Sequence, residues 1–182
     1  MGLTRTFVAL GLPDPIPDAL EAIAERVPGG RSVDGDNLHV TLAFLGDVDS
    51  SGLVDVHDAL NAIQAAEFSL LVEGLGLFGR NRPRSLWAGV RNTPELTFLQ
   101  SKVARAAHNA GVDLTRRRFV PHITLARFSG GPETPELQRF IAGNAGLSLG
   151  AVSVQSFGLY ASHLTSGGAF YEELSRYPLA AM

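Results

Sequence analysis

One tetrapeptide pattern occurs twice, and its spacing limits what this chain can fold into more than any other feature. His-x-Thr-Leu stands at His39-Val40-Thr41-Leu42 and again at His122-Ile123-Thr124-Leu125, 83 positions apart in 182 residues. A repeat at close to half the chain length points to two similar halves that bury their apolar faces together. Each copy lies in an apolar run, 38–45 and 119–126. Residues two apart on a strand share a face. His39 and Thr41 therefore point together, as do His122 and Thr124. Val40, Leu42, Ile123 and Leu125 turn the other way, where helices can cover them.

The same order of elements recurs around each motif. A strand over 6–12 is closed by Pro13 and Pro15. A helix over 16–27, the motif strand over 37–45, a helix over 53–66 and strands over 68–78 and 85–90 follow. The second half runs through a helix over 94–110 stopped by Gly111, then the motif strand over 119–128. A helix capped by Thr134 with Pro135 at its first position comes next. A last strand pair covers 147–160 and 169–174. Gly76-Leu77-Phe78 lies 37 residues after His39, and Gly158-Leu159-Tyr160 lies 36 after His122. The pattern predicts an α+β fold in a single bilobal domain over 1–182, with an internal repeat at roughly 13–91 and 92–176. Two pseudo-symmetric antiparallel sheets with outer helices are expected to enclose a central groove that carries both motifs.

Composition narrows what that groove can do. With 45% hydrophobic and 18% charged residues, a packed core is expected. Cysteine is absent, which excludes disulfides, thiolate nucleophiles and cysteine-based zinc sites. A formal net charge of −3 offers no global basic field for long nucleic acid, so any such contact must be local and short. No 18-residue apolar stretch or signal-peptide design is visible, and a cytoplasmic protein with no membrane contact is expected. The clusters Arg80, Arg82, Arg84 and Arg116, Arg117, Arg118 read as solvated turns beside the groove strands.

Histidine titrates near neutral pH. Two imidazoles and two hydroxyls around one centre suit a phosphate or phosphodiester. The hydroxyls donate to non-bridging oxygens, one imidazole activates water and the other protonates the departing alkoxide. Each acid or base is worth roughly 10²–10⁴ in rate. His-x-Thr lacks carboxylate or cysteine companions at ligand spacing, so neither a metal nor another cofactor is expected. Arg127 follows His122 by five residues, and strict alternation puts it on the opposite strand face. A bulge or a strand end would be needed to bring it to a phosphate; on spacing alone a surface or lobe-bridging role is equally open. Of Phe7, Phe44, Phe78, Trp87, Phe119 and Tyr160, most read as core, with one or two able to stack a nucleobase at the groove. His57 reads as an exposed helix residue, His108 as a helix C-terminal residue and His163 as a turn residue.

These residues resemble a known family over nearly the whole chain. The match runs through Arg5-Thr6-Phe7-Val8-Ala9-Leu10, Leu38 to Gly46, Arg84-Ser85-Leu86-Trp87-Ala88-Gly89 and Phe119 to Arg127. It ends with Ser162 to Gly168 and Tyr171. The chain is similar to the RNA 2′,3′-cyclic phosphodiesterases of the two-histidine phosphoesterase superfamily, formerly called 2′–5′ RNA ligases. The resemblance implies metal-independent hydrolysis of the 2′,3′-cyclic phosphate at RNA 3′ ends, or on nucleotides, to a 2′-phosphate. It implies His39 as proton donor and His122 as proton acceptor, with Thr41, Thr124 and Arg127 holding the phosphate. A monomer is expected. Three alternatives stay open: a 2′–5′ RNA ligase, a small-nucleotide cyclic phosphodiesterase and a non-catalytic RNA-end binding module. Intact His39 and His122 argue against the last, because binding alone needs no duplicated titrating pair.

Overall fold

A computed structural model of the chain describes residues 2–79, 81–115, 117–166 and 168–181. Arg80 and Arg116 of the arginine clusters, and Gly167 near the C-terminus, lie outside the described residues. The elements run β1 (Thr4–Gly11), α1 (Ile16–Ala24), β2 (Arg31–Ser32), a 3-10 turn (Gly35–Asn37) and β3 (His39–Val48). Then come α2 (Ser50–Asn61), β4 (Phe68–Phe78), β5 (Ser85–Val90), α3 (Pro94–Asn109) and β6 (His122–Arg127). The last are α4 (Pro135–Gly143), β7 (Ser148–Val154), β8 (Ser156–Thr165) and β9 (Gly168–Pro178).

Local chemistry sets the helix ends. Thr93 and Thr134 each accept a hydrogen bond from the amide three residues on, at 3.3 Å from Leu96 and 3.2 Å from Leu137. In both, proline occupies the first helical position, where no amide hydrogen is needed. α2 starts three residues before its expected position because the Asp49 carboxylate accepts from the Gly52 amide at 2.8 Å. α1 stops at Ala24 rather than Val27. Pro28 restricts the residue before it and closes off further helix. Gly111 ends α3 with a φ of 84°, a left-handed conformation that glycine adopts at little cost.

The fold is α+β, with helices set against an antiparallel sheet. Its strand order is β7-β4-β5-β6-β3-β1-β8-β9, and β2 adds to β6. Two separate sheets are therefore not what forms. β3 and β6 join the halves into one continuous ladder through the pair Val40 and Ile123. The halves also interlock. The β4–β5 hairpin follows the first motif in sequence but joins β6 of the second, while β8 follows the second motif and returns to pair with β1. α1 packs on β6, and α3 packs on β3.

The expected strand over 147–160 is two strands. It breaks at Gln155, and β7 pairs with β4 at one end of the sheet while β8 pairs with β1 and β9 near the other. Apolar alternation shows that a segment is extended; it does not show which sheet edge receives it. β2 was not expected either, because two exposed residues carry no apolar period. Phe119 lies before β6 rather than on it.

Gly76 shows how closely the groove wall is packed. It pairs across the ladder with Trp87, and a Cβ there would overlap the indole ring. Gly76→Ala is expected to destabilise the protein by about 1–3 kcal/mol through overpacking. Urea unfolding measures this; an unchanged midpoint would show that the ring moves freely.

Candidate active site

The two motif strands lie side by side at the middle of the sheet, antiparallel. From the pair Val40 and Ile123, one step along the register sets His39 opposite Thr124, and one step the other way sets Thr41 opposite His122. Val40, Leu42, Ile123 and Leu125 are buried on the helix side. Burying each such side chain contributes roughly 1.5–3 kcal/mol. That burial holds all four histidine and threonine side chains on the opposite face, so the structure brings together the four residues that the motifs single out.

Both histidines are held in the same way. His39 Nδ1 lies 2.7 Å from the Asn37 carbonyl oxygen, and His122 Nδ1 lies 2.6 Å from that of Val120. A carbonyl only accepts, so Nδ1 must carry the hydrogen in each ring and donate it. Each neutral imidazole then has Nε2 as its free acceptor. At His39 this nitrogen lies 3.0 Å from Thr41 Oγ1, which donates to it. The Asn37 side chain in turn donates to the Ala169 carbonyl at 3.0 Å, tying the support of His39 to the β8–β9 hairpin. Asn37 and Val120 as orienting residues were not foreseen. They act through main-chain oxygens, which every residue type has, and only their place two residues before each histidine is a signal.

Aromatic rings back the imidazoles. His39 sits 4.9 Å from Phe7 and 5.2 Å from Tyr171, edge-on to the latter, centroid to centroid. His122 meets Phe78 edge-on at 4.8 Å, with Trp87 at 6.1 Å. Tyr160 stacks on Phe7 at 5.4 Å. Phe44, which pairs with Phe7 across the ladder, is 69% exposed and is the one of these rings most open to a ligand.

A bulge resolves the position of Arg127. Along β5, Leu86 pairs with Ala126 but the next residue, Trp87, pairs with Thr124. Leu125 is thus an extra residue in β6, and the alternation slips by one. Leu125 and Ala126 are buried in succession, and Arg127 comes out on the face of His122 and Thr124. β3 has the matching bulge at Leu42, where Val8 pairs with Ala43 but Ala9 pairs with Thr41.

The electrostatics agree with this placement. Burial, partly offset by the hydrogen bond to Asn37 and reinforced by the charges of Arg127 and His122, lowers the His39 pKa to about 4. Burial and then Arg127 also lower that of His122, against the hydrogen bond to Val120. The charge of Arg127 thus acts on both imidazoles. Burial and the neighbouring Glu173 push the Tyr160 phenol up to about 12, so it stays protonated and donates to Glu173 at 3.1 Å.

A cavity of about 390 Å³ opens beside His39, floored by Phe7, Tyr160 and Tyr171. Asp14, Asp18, Glu21, Asp34 and Asp36 also line it, and His122 does not. Carboxylates repel a phosphate, so an anion is favoured at the Arg127 end of the groove rather than in this cavity. Among the described residues, no three histidine, aspartate or glutamate side chains come together as a metal-binding set. No helix among them is long and apolar enough to cross a membrane.

Two other histidines differ from expectation. His57 is half-buried, with Nδ1 3.0 Å from the Tyr177 hydroxyl, because β9 runs on to Pro178 and brings that phenol against α2. His163 lies on β8 rather than in a turn and pairs with Glu172 at 2.9 Å, because β8 continues to Thr165 before the hairpin turns. His108 is in the last turn of α3, as expected.

Comparison with known proteins gives a consistent set. A model of the family described as LigT like Phosphoesterase matches residues 10–87 and 90–171. The RNA 2′,3′-cyclic phosphodiesterase of Aeropyrum pernix is 33% identical over 156 residues, covering 85% of this chain and 89% of that one. The protein of the same description from Escherichia coli is 32% identical over 179 residues, covering 96% of each. The crystal structure of E. coli LigT complexed with 3′-AMP matches with a TM-score of 0.81 at 30% identity, over 97% of this chain and 98% of that one.

Proposed function

Because the chain belongs to the LigT-like phosphoesterase family, we propose that it hydrolyses 2′,3′-cyclic phosphate ends of RNA to 2′-phosphates without a metal. The observation that carries this reading is the matched pair of imidazoles. Both donate Nδ1–H to a main-chain carbonyl from adjacent strands and so keep Nε2 unprotonated, and the charge of Arg127 acts on each. In the reaction, water attacks phosphorus while His122 takes its proton. The P–O3′ bond breaks, and His39 gives its proton to the departing O3′. The products are a 2′-phosphate and a free 3′-hydroxyl. Thr41, Thr124 and Arg127 hold the non-bridging oxygens as charge builds on them. E. coli LigT in complex with 3′-AMP shows a relative of the same fold accommodating a nucleotide.

The test is a cyclic-phosphate-ended oligonucleotide incubated with the protein and excess chelator, followed by phosphorus NMR. A 2′-phosphate product is expected, at a rate unaffected by chelation. A 3′-phosphate as main product, or activity lost to chelator and restored by a divalent metal, would overturn the proposal.

The pH dependence follows from the lowered imidazole values. Catalysis needs one imidazole charged and one neutral, which gives a bell. In the free protein both pKa values lie below the ordinary 6.5, so above that pH the neutral form of each ring predominates. The kcat/KM profile reports this free state and is expected to peak on the acid side of 6.5, its limbs belonging to the coupled pair. A bound phosphodiester anion favours imidazolium and raises both values. The kcat profile should therefore lie at higher pH than the kcat/KM profile; coincident profiles would contradict this account.

A further inference from the structure

β2 is only two residues long, yet it places a second arginine beside the first. Arg31 pairs directly with Arg127 across the β2–β6 ladder. The other edge of β6 is occupied at that position by Ser85 of β5, so β2 lies on the edge facing β3. It continues the β3 side of β6 past the point where β3 begins. Directly opposed residues share a face, with Cβ atoms about 4.5–5.5 Å apart. Since Arg127 comes out on the groove face, Arg31 is rooted on that face too. Its guanidinium lies against Gly168 at the tip of the β8–β9 hairpin, where any Cβ would meet it. It is exposed.

Like charges directly opposed across a ladder destabilise it. Two arginines held this way on one groove face can contact two anionic groups at once. Successive phosphates in a nucleotide chain are separated by one ribose, an interval that two long side chains rooted on neighbouring strands can span. We propose that Arg31 binds the phosphate on the 5′ side of the terminal nucleotide while Arg127 holds the reacting cyclic phosphate. The site then selects RNA ends, or 5′-phosphorylated nucleotides, over nucleosides that carry only the cyclic phosphate. This rests on the function proposed above and names its substrate class.

The experiment compares Arg31→Gln with the unaltered protein on two substrates, an adenosine 2′,3′-cyclic phosphate and a short oligonucleotide with the same end. For the oligonucleotide, KM should rise about tenfold with kcat nearly constant, as expected for lost uniform binding. Its dependence on salt should weaken, the log–log slope falling by about 0.7 for one lost phosphate contact on a single strand. The mononucleoside should shift less than twofold. A neutral methylphosphonate at the adjoining linkage should raise KM for the unaltered protein by a similar factor. Arg31→Lys should recover part of the loss. Equal losses on both substrates would show instead that Arg31 only braces the hairpin that supports His39, and would overturn the proposal. Unchanged KM on the oligonucleotide would do the same. If the unaltered protein turns over neither substrate, it is the hydrolase reading that fails.

Discussion

Replacing His39 or His122 with alanine is expected to lower turnover of a cyclic-phosphate-ended RNA by about 10²–10⁴, each on its own. The effect is large because each imidazole has one proton to move and no described neighbour can take its place. Tyr160 is held protonated, and its hydroxyl is committed to Glu173. Thr41 has no accessible titration. The fold should survive, since the buried side chains of β3 and β6 are Val40, Leu42, Ile123 and Leu125 rather than the half-buried histidines. Circular dichroism and steady-state rates on the same samples check both statements. The division of roles is separable. A phosphodiester with a nitrophenolate leaving group needs no proton on departure, so with it the loss from His39→Ala should shrink while that from His122→Ala remains. Near-wild-type turnover by either folded variant would end the acid–base mechanism.

Arg127→Ala is expected to lower kcat/KM by about 10²–10³, the scale for removing one preorganised donor from a site of developing charge. It has a second readout that a merely structural role would not produce. The Arg127 cation lowers the pKa of both imidazoles. Without it each protonates more readily, so the whole pH profile should move to higher pH. Arg127→Lys returns the charge but not the two-pronged fork that matches phosphate. It should restore the position of the profile and only part of the rate. A rate loss with an unmoved profile would mean that Arg127 does not act on the imidazoles electrostatically.

Much of the layout of the candidate site could be read from residue order alone. His39, Thr41, His122 and Thr124 share a face because strand geometry has a period of two, and the apolar partners Val40, Leu42, Ile123 and Leu125 say which face is buried. Their duplication placed the motif strands at the centre of the fold. Thr134-Pro135 marked a helix start because capping is a local transaction between a side chain and an amide three residues on. Local physics of this kind is written in the sequence. What only the tertiary structure decided depends on partners distant in the chain. The bulge at Leu125, which carries Arg127 to the groove, is a mismatch of register against β5, and alternation within β6 alone argues for the wrong face. The break at Gln155 sends β7 and β8 to opposite ends of the sheet, although the segment reads as one extended run. The acidity of His39 comes chiefly from burial beneath rings supplied by β1 and β9. Arg31 carries no pattern in sequence; only the pairing of β2 with β6 sets it beside Arg127. Register, edge choice and desolvation are properties of which surfaces meet, and the order of residues along one strand does not contain them.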